Sequence, residues 1–277
     1  MEQQQIVTLL NADLEDEHGA IIQYLAHAYA MGEGEMACEI EAIAREEMRH
    51  LDWLAKTIVA LGGTPSLKRG KMLPGGEAVP AWMQNNVLLE EGAISSYRQH
   101  IQAIDDAGVK RLLRRILSDE ESHHGDFQHF IDKAKKEGMK DLRGDRTDQV
   151  ASLLNRGVEH EYTVVLQYLW QAYLTPDSEI KRQLEDGAVN EMQHMGWLAE
   201  EMVGSSGSPR LEHTDVDRST DSADMLRADI SIEHEVAGEY DRAARQVKDP
   251  GLQKLFRRIM NHELYHAEVF KDLLDKK

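Results

Sequence analysis

Six times in this chain a glutamate stands three residues ahead of a histidine: Glu15/His18, Glu47/His50, Glu120/His123, Glu121/His124, Glu191/His194 and Glu263/His266. On an α-helix, three residues advance by about 300° and rise about 4.5 Å, so both side chains lie on one face, a turn apart. A carboxylate oxygen and an imidazole nitrogen placed in this way can hold one divalent ion such as iron or manganese. One copy means little in a chain with 50 acidic residues and 13 histidines. Six copies need a filter, and the sequence contains one.

That filter is an internal duplication. LLNADLEDEHGAIIQYLAHAY, from Leu9, returns as LLNRGVEHEYTVVLQYLWQAY from Leu153, an offset of 144 that continues without a gap. Glu47-Met48-x-His50 returns as Glu191-Met192-x-His194, and Trp53-Leu54-Ala55 as Trp197-Leu198-Ala199. Beyond the next loop the offset becomes 143, matching Tyr97 with Tyr240 and Arg114-Arg115-Ile116 with Arg257-Arg258-Ile259. A repeat this long duplicates a whole domain rather than one turn of a solenoid. Under it, Glu15/His18 falls on Glu159/Tyr162 and Glu121/His124 on Leu264/Ala267, and both pairs are lost. Glu47/His50 with Glu191/His194, and Glu120/His123 with Glu263/His266, survive.

Two further carboxylates pass the same filter. Glu17 aligns with Glu161, each followed six and seven residues later by Gln-Tyr. Glu90 aligns with Glu233, each seven residues before a tyrosine, whereas its neighbour Glu91 aligns with His234. Each half then offers one Glu from each of two helices and one Glu-x-x-His from each of two others, the inward-facing set of di-iron and di-manganese carboxylate bundles. Four carboxylates packed together repel one another or take up protons. Two divalent ions would balance them, and four such ions would move the formal charge of the chain from −18 to −10. The competing reading, solvated glutamates and packed core histidines, suits one isolated pair better than a set that filters in this way.

The elements that must carry these residues are helices. Each half contains four long periodic stretches, in the first half near residues 4–31, 34–61, 81–106 and 109–136. Short loops join the first to the second and the third to the fourth, which makes those neighbours antiparallel. Residues 62–80 and 203–222, rich in Gly, Pro and Ser, are long enough to cross the length of a bundle. The fold class expected is all-α: two tandem ferritin-like four-helix bundles, residues 1–143 and 144–277, each with one long crossover between its second and third helices.

Composition narrows the setting. Hydrophobic residues at 41% and charged residues at 30% permit a packed core. With 32 basic against 50 acidic residues, the chain would repel nucleic acid and anionic membrane surfaces. No apolar run reaches the roughly 18 residues of a membrane span, and no secretory signal is visible. One cysteine, Cys38, excludes an internal disulfide framework and a CxxC site. These features lead us to expect a cytoplasmic protein.

At the residues quoted above the chain resembles the ferritin-like superfamily, within it bacterioferritin most, with rubrerythrin-like proteins as the wider group. The match runs through Glu17, Gln23-Tyr24, Glu47-Met48-Arg49-His50, Glu90 and the Ile116–His123 stretch. It runs again through Glu161, Gln167-Tyr168, Glu191-Met192-Gln193-His194, Glu233 and Glu263-Leu264-Tyr265-His266. The resemblance implies that Glu47 and Glu120 bridge two irons, with Glu17, His50, Glu90 and His123 as terminal ligands. In the second half Glu191 and Glu263 would bridge, with Glu161, His194, Glu233 and His266 terminal. It further implies oxidation of Fe(II) by O2 or H2O2 at two irons per domain, four per chain, with manganese as an alternative metal. Met48 and Met192 stand where bacterioferritin places a haem-ligating methionine, although packing against an interface is the commoner use of such a residue. A 24-subunit cage is not expected, because no fifth helix follows the second bundle, while a smaller homo-oligomer stays open. Without a CxxC domain, any electron donor is a separate protein or Fe(II) itself.

Other readings remain open at this point. A di-metal oxygenase or a manganese catalase would use the same ligands on another substrate. A non-catalytic iron-binding or assembly protein would bind without turnover. Tyr24, Tyr97, Tyr168, Tyr240, Trp53 and Trp197 read first as core aromatics, with hydrogen bonding to the metal ligands as the alternative. Gln23 and Gln167 read as packing, and the paired arginines as solvated.

Overall fold

The computed structural model describes residues 1–76 and 78–277. Eight α-helices and no strand occur among the described residues: α1 (Gln3–Met31), α2 (Glu35–Ala60), α3 (Val79–Ala103), α4 (Ala107–Glu137), α5 (Gln149–Leu174), α6 (Ser178–Gly204), α7 (Ser222–Gln246) and α8 (Pro250–Leu274). None of them is long and apolar enough to cross a membrane. The chain divides into two compact units, Met1–Asp145 with Val203–Ser208, and Arg146–Met202 with Pro209–Lys277. We propose 143/144 as the boundary between the duplicated segments.

The helices form because their apolar positions recur every three or four residues. Along α2 the buried stripe is Met36, Ile40, Ile43, Glu47, His50, Leu54 and Ile58. Along α4 it is Val109, Leu113, Ile116, Glu120, His123, Phe127 and Phe130, and along α8 it is Leu252, Phe256, Ile259, Glu263, His266, Phe270 and Leu273. The acidic and imidazole side chains therefore occupy positions in the core stripe, flanked on both sides by aliphatic and aromatic residues. In the first unit α1 packs against α2 and α3, and α4 against α2 and α3; in the second α7 packs against α8.

Among the described residues, five helices begin at an aspartate that caps them. The side chains of Asp106, Asp148, Asp177, Asp221 and Asp249 accept from the backbone N–H groups of Val109, Ala151, Glu179, Ala223 and Leu252 at 2.8–3.0 Å. Each such cap is worth about 1 kcal/mol. Gly138, left-handed at φ 63°, closes α4.

The crossovers are tied to the first helix of each unit. In the first, Gly70 N–H donates to the Glu15 carbonyl at 2.6 Å. A Cβ on Gly19, beneath it, would lie 3.2 Å from the Gly70 backbone. In the second, Thr163 and Thr214 occupy the two glycine positions, and Thr214 N–H donates to Thr163 Oγ1 at 2.9 Å. The same strap is thus held by close backbone contact in one unit and by a side-chain hydrogen bond in the other.

Candidate metal centre

The structure brings the twelve candidate residues into two clusters, one inside each unit. In the first, α1 supplies Glu17, α2 Glu47 and His50, α3 Glu90, and α4 Glu120 and His123, each no more than 4% exposed. Their ligand atoms form two groups of four, Glu17–Glu47–His50–Glu120 and Glu47–Glu90–Glu120–His123, with the atoms of each group within 4.8 Å of one another. Glu47 and Glu120 belong to both groups. The second unit repeats the pattern as Glu161–Glu191–His194–Glu263 and Glu191–Glu233–Glu263–His266, with Glu191 and Glu263 shared.

Distances agree closely between the two. His50 Nδ1 lies 2.7 Å from Glu47, 3.0 Å from Glu120 and 3.7 Å from Glu17. His194 Nδ1 lies 2.7 Å from Glu191, 3.1 Å from Glu263 and 3.7 Å from Glu161. His123 Nδ1 is 2.8 Å from Glu47, and His266 Nδ1 is 2.7 Å from Glu191. All four histidines present Nδ1 to the carboxylates.

The electrostatics call for cations. Burial, with the Glu47 charge beside it, pushes the Glu17 carboxyl up to about 8. Burial and neighbouring carboxylates also raise Glu90 and Glu120 well above the usual range. Burial alone would raise Glu47, but its contacts with His123 and His50 win and hold it at about 2. Burial would lower His123, yet the carboxylates around it hold it up at about 10. In the second unit Glu191 is raised to about 7 and Glu233 to about 8 by burial, while carboxylate contacts overcome burial to hold His194 at about 12.

Both Glu47 oxygens, Glu90 Oε2, Glu120 Oε1, His50 Nδ1 and His123 Nδ1 are shielded from water, and none makes an aligned hydrogen bond. Glu191 Oε1, Glu263 Oε1 and His266 Nδ1 are in the same condition. A buried polar atom left unsatisfied costs about 1–3 kcal/mol, so a cluster of them fits a site built to be filled. Carboxylate oxygen and imidazole nitrogen are the donors that suit iron.

The tyrosines correct the core-aromatic reading. Tyr24 on α1 donates to Glu90 on α3, and Tyr97 on α3 donates to Glu17 on α1. Tyr168 and Tyr240 repeat this reciprocal pair on Glu233 and Glu161. Gln23 and Gln167 are also more than packing. Gln23 donates to Asn86 at 2.8 Å and Gln167 to Asp229 at 2.8 Å, and each accepts from a crossover N–H, that of Leu73 or Asp217. Sequence reasoning missed Asn86 and Asp229, although both lie one helical turn before the α3 or α7 glutamate.

The filtered-out residues lie elsewhere. Glu91 and His124 approach each other to 3.5 Å away from the cluster, and Glu121 pairs with Arg98 at 2.6 Å. Glu15 accepts from Ser66, and His18 meets the Lys68 carbonyl. Met48 and Met192 are half-buried on α2 and α6, each one residue past a clustered glutamate.

A family model for the ferritin-like domain matches residues 7–136 and, a second time, residues 151–277. The chain belongs to the ferritin-like family. Among its relatives, the bacterioferritin of Desulfovibrio desulfuricans is 31% identical over 124 residues, covering 43% of this chain and 69% of that protein. The bacterioferritin of Streptomyces coelicolor is 29% identical over 140 residues, covering 48% of this chain and 84% of that one. Among solved structures, D. desulfuricans bacterioferritin, described as showing its diiron site in different catalytic states, aligns at 29% identity and a TM-score of 0.45 over 48% of this chain and 82% of its own. Each of these relatives matches less than half of this ferritin-like chain.

Proposed function

We propose that each unit holds a dinuclear iron centre and that the protein oxidises Fe(II) with O2 or H2O2. The observation that carries this reading is the pair of overlapping four-residue groups in each unit, joined through two shared glutamates. The likeness to bacterioferritins, one of them solved with a diiron site, supports iron as the metal.

Glu17 and His50 would hold one iron, Glu90 and His123 the other, with Glu47 and Glu120 reaching both. Glu161 and His194, Glu233 and His266, Glu191 and Glu263 take the same places in the second unit. A bound pair supplies two electrons together, enough to reduce O2 to H2O2, or H2O2 to two waters, as two Fe(II) become Fe(III) and two protons are taken up. The four carboxylates of each unit balance the charge of the ions and favour the ferric state. Tyr97 and Tyr24 fix the carboxylate rotamers of Glu17 and Glu90, so the set is ordered before loading. Protons that the crowded carboxylates hold near neutral pH leave when metal binds. A separate electron donor would be needed only to return the ferric ions to Fe(II).

Anaerobic Fe(II) titration of metal-free protein, followed by O2 or H2O2 with near-ultraviolet detection, tests this. Four Fe(II) per chain and rapid appearance of a ferric band are expected. Tight binding without oxidation by either oxidant would overturn the catalytic part, and no binding would overturn the site.

A further inference from the structure

The ligand candidates of the two units match residue for residue, but what stands behind their imidazoles does not. His50 Nε2, the ring nitrogen that faces away from the cluster, meets Asp119 at 3.3 Å. Asp119 is mostly buried and is itself paired with Arg115 at 2.6 Å. His123 Nε2 meets Glu46 at 2.9 Å. In the second unit the position of Asp119 is His262, and His194 Nε2 meets His262 Nδ1 at 2.8 Å. Arg258, the counterpart of Arg115, has no carboxylate at that position and lies over the Trp197 ring at 4.0 Å. Glu46 is replaced by Asn190, whose side chain donates to the Asp186 carbonyl of its own helix.

Access differs in the same direction. A cavity of about 260 Å³ on the α1/α3 side of the first unit is lined by the buried Glu17, Glu90 and Glu120 and by the exposed Asp16 and Lys71, so it connects the cluster with the surface. Ala20 and Ala93 in that region correspond to the buried Val164 and Val236, and Asp13 and Asp16 to Gly157 and His160. The cavity on the corresponding side of the second unit, about 220 Å³, is lined by Tyr240, Arg156 and Arg242 and by none of the six clustered residues.

We infer that the two centres are inequivalent and fill in order, the first unit binding divalent metal more tightly and ahead of the second; this rests on the dinuclear reading above. A carboxylate accepting from the outer N–H of a ligating imidazole makes the inner nitrogen a better donor and places negative charge near the ion. An imidazole accepting in its place gives the hydrogen bond without the charge, and here it lies beside an arginine. Asp119 carries most of the effect, because Glu46 is half-exposed and screened by solvent. Asp229 is a buried acid found only in the second unit, but it binds Gln167 and backs no histidine, so it does not compensate. Loss of such an outer partner costs 10- to 100-fold in metal affinity in comparable sites.

The test is anaerobic titration of the full-length, metal-free chain with Co(II), followed by visible absorption and calorimetry. Two phases of two ions each are expected, separated at least about tenfold in Kd. Glu47→Ala should remove the tight phase and Glu191→Ala the weak one. His262→Asp, at a partly exposed position, should tighten the weak phase toward the strong one, and Asp119→His should do the reverse. Four ions entering in one phase, or loss of the tight phase with Glu191→Ala, would overturn the ordering while leaving four working sites. Absence of Co(II) binding would instead overturn the dinuclear reading.

Discussion

The two units agree where side chains face the cluster and differ one layer out. Six residues, two tyrosines and one glutamine recur in equivalent geometry, from Glu17, Tyr24 and Gln23 to Glu161, Tyr168 and Gln167. Around them Asp119 aligns with His262, Asn86 with Asp229, and Gly19/Gly70 with Thr163/Thr214 under the duplication. The inner set is constrained jointly, since one misplaced donor unbalances several charges. The outer positions need only supply a hydrogen bond of some kind, and several chemistries do that.

Replacing a shared glutamate should separate the units most sharply. Glu47→Ala should leave two of four metal ions per chain, Glu191→Ala the other two, and the double variant none, as counted by elemental analysis after gel filtration. Full occupancy in the double variant would show that the shared glutamates are not ligands.

Asp229 gives the next largest effect. Burial pushes its carboxyl from 3.8 up to about 7, so the folded metal-free protein holds a proton that the unfolded chain has already released. Its contribution to stability is complete below about 4 and is lost as pH rises toward 7. That amounts to on the order of 4 kcal/mol across the window. Urea melts of wild type and Asp229→Asn should therefore diverge as pH rises, the variant becoming relatively more stable. Asn86→Asp should bring the same slope into the first unit. Parallel curves at every pH would mean that Asp229 stays ionised.

Tyr97→Phe and Tyr240→Phe each remove a hydroxyl from a buried carboxylate. Each should weaken metal binding in its own unit by about tenfold or more, measured by chelator competition, and leave the other unit unchanged. The smallest effect is expected at the caps. Asp106→Ala and Asp249→Ala should each cost about 1 kcal/mol in urea unfolding, equally in both units. Unequal losses there would show that the units differ in more than their outer layer.

Much of this was legible from spacing. The Glu-x-x-His pairs announce themselves because three residues bring both groups to one helical face, and the duplication removes the accidental pairs. The duplication separates Glu90 from Glu91, which aligns with His234, and burial separates them too: Glu90 is 1% exposed, while Glu91 makes an exposed contact with His124. The tyrosine braces were not legible, because Tyr24–Glu90 and Tyr97–Glu17 join residues 66 and 80 positions apart. Asp119 and Glu46 sit beside the motifs in sequence, yet their partners lie on another helix. Nothing local distinguishes them from solvated acids.

The duplication within one chain also has a consequence for inheritance and dosage. A protein of one such unit that assembles with itself carries any outer-layer change in every copy at once. Here a change at residue 119 leaves residue 262 untouched, and translation delivers the two versions in a fixed one-to-one ratio. Divergence between the centres can therefore accumulate one codon at a time, with neither version diluted by the other.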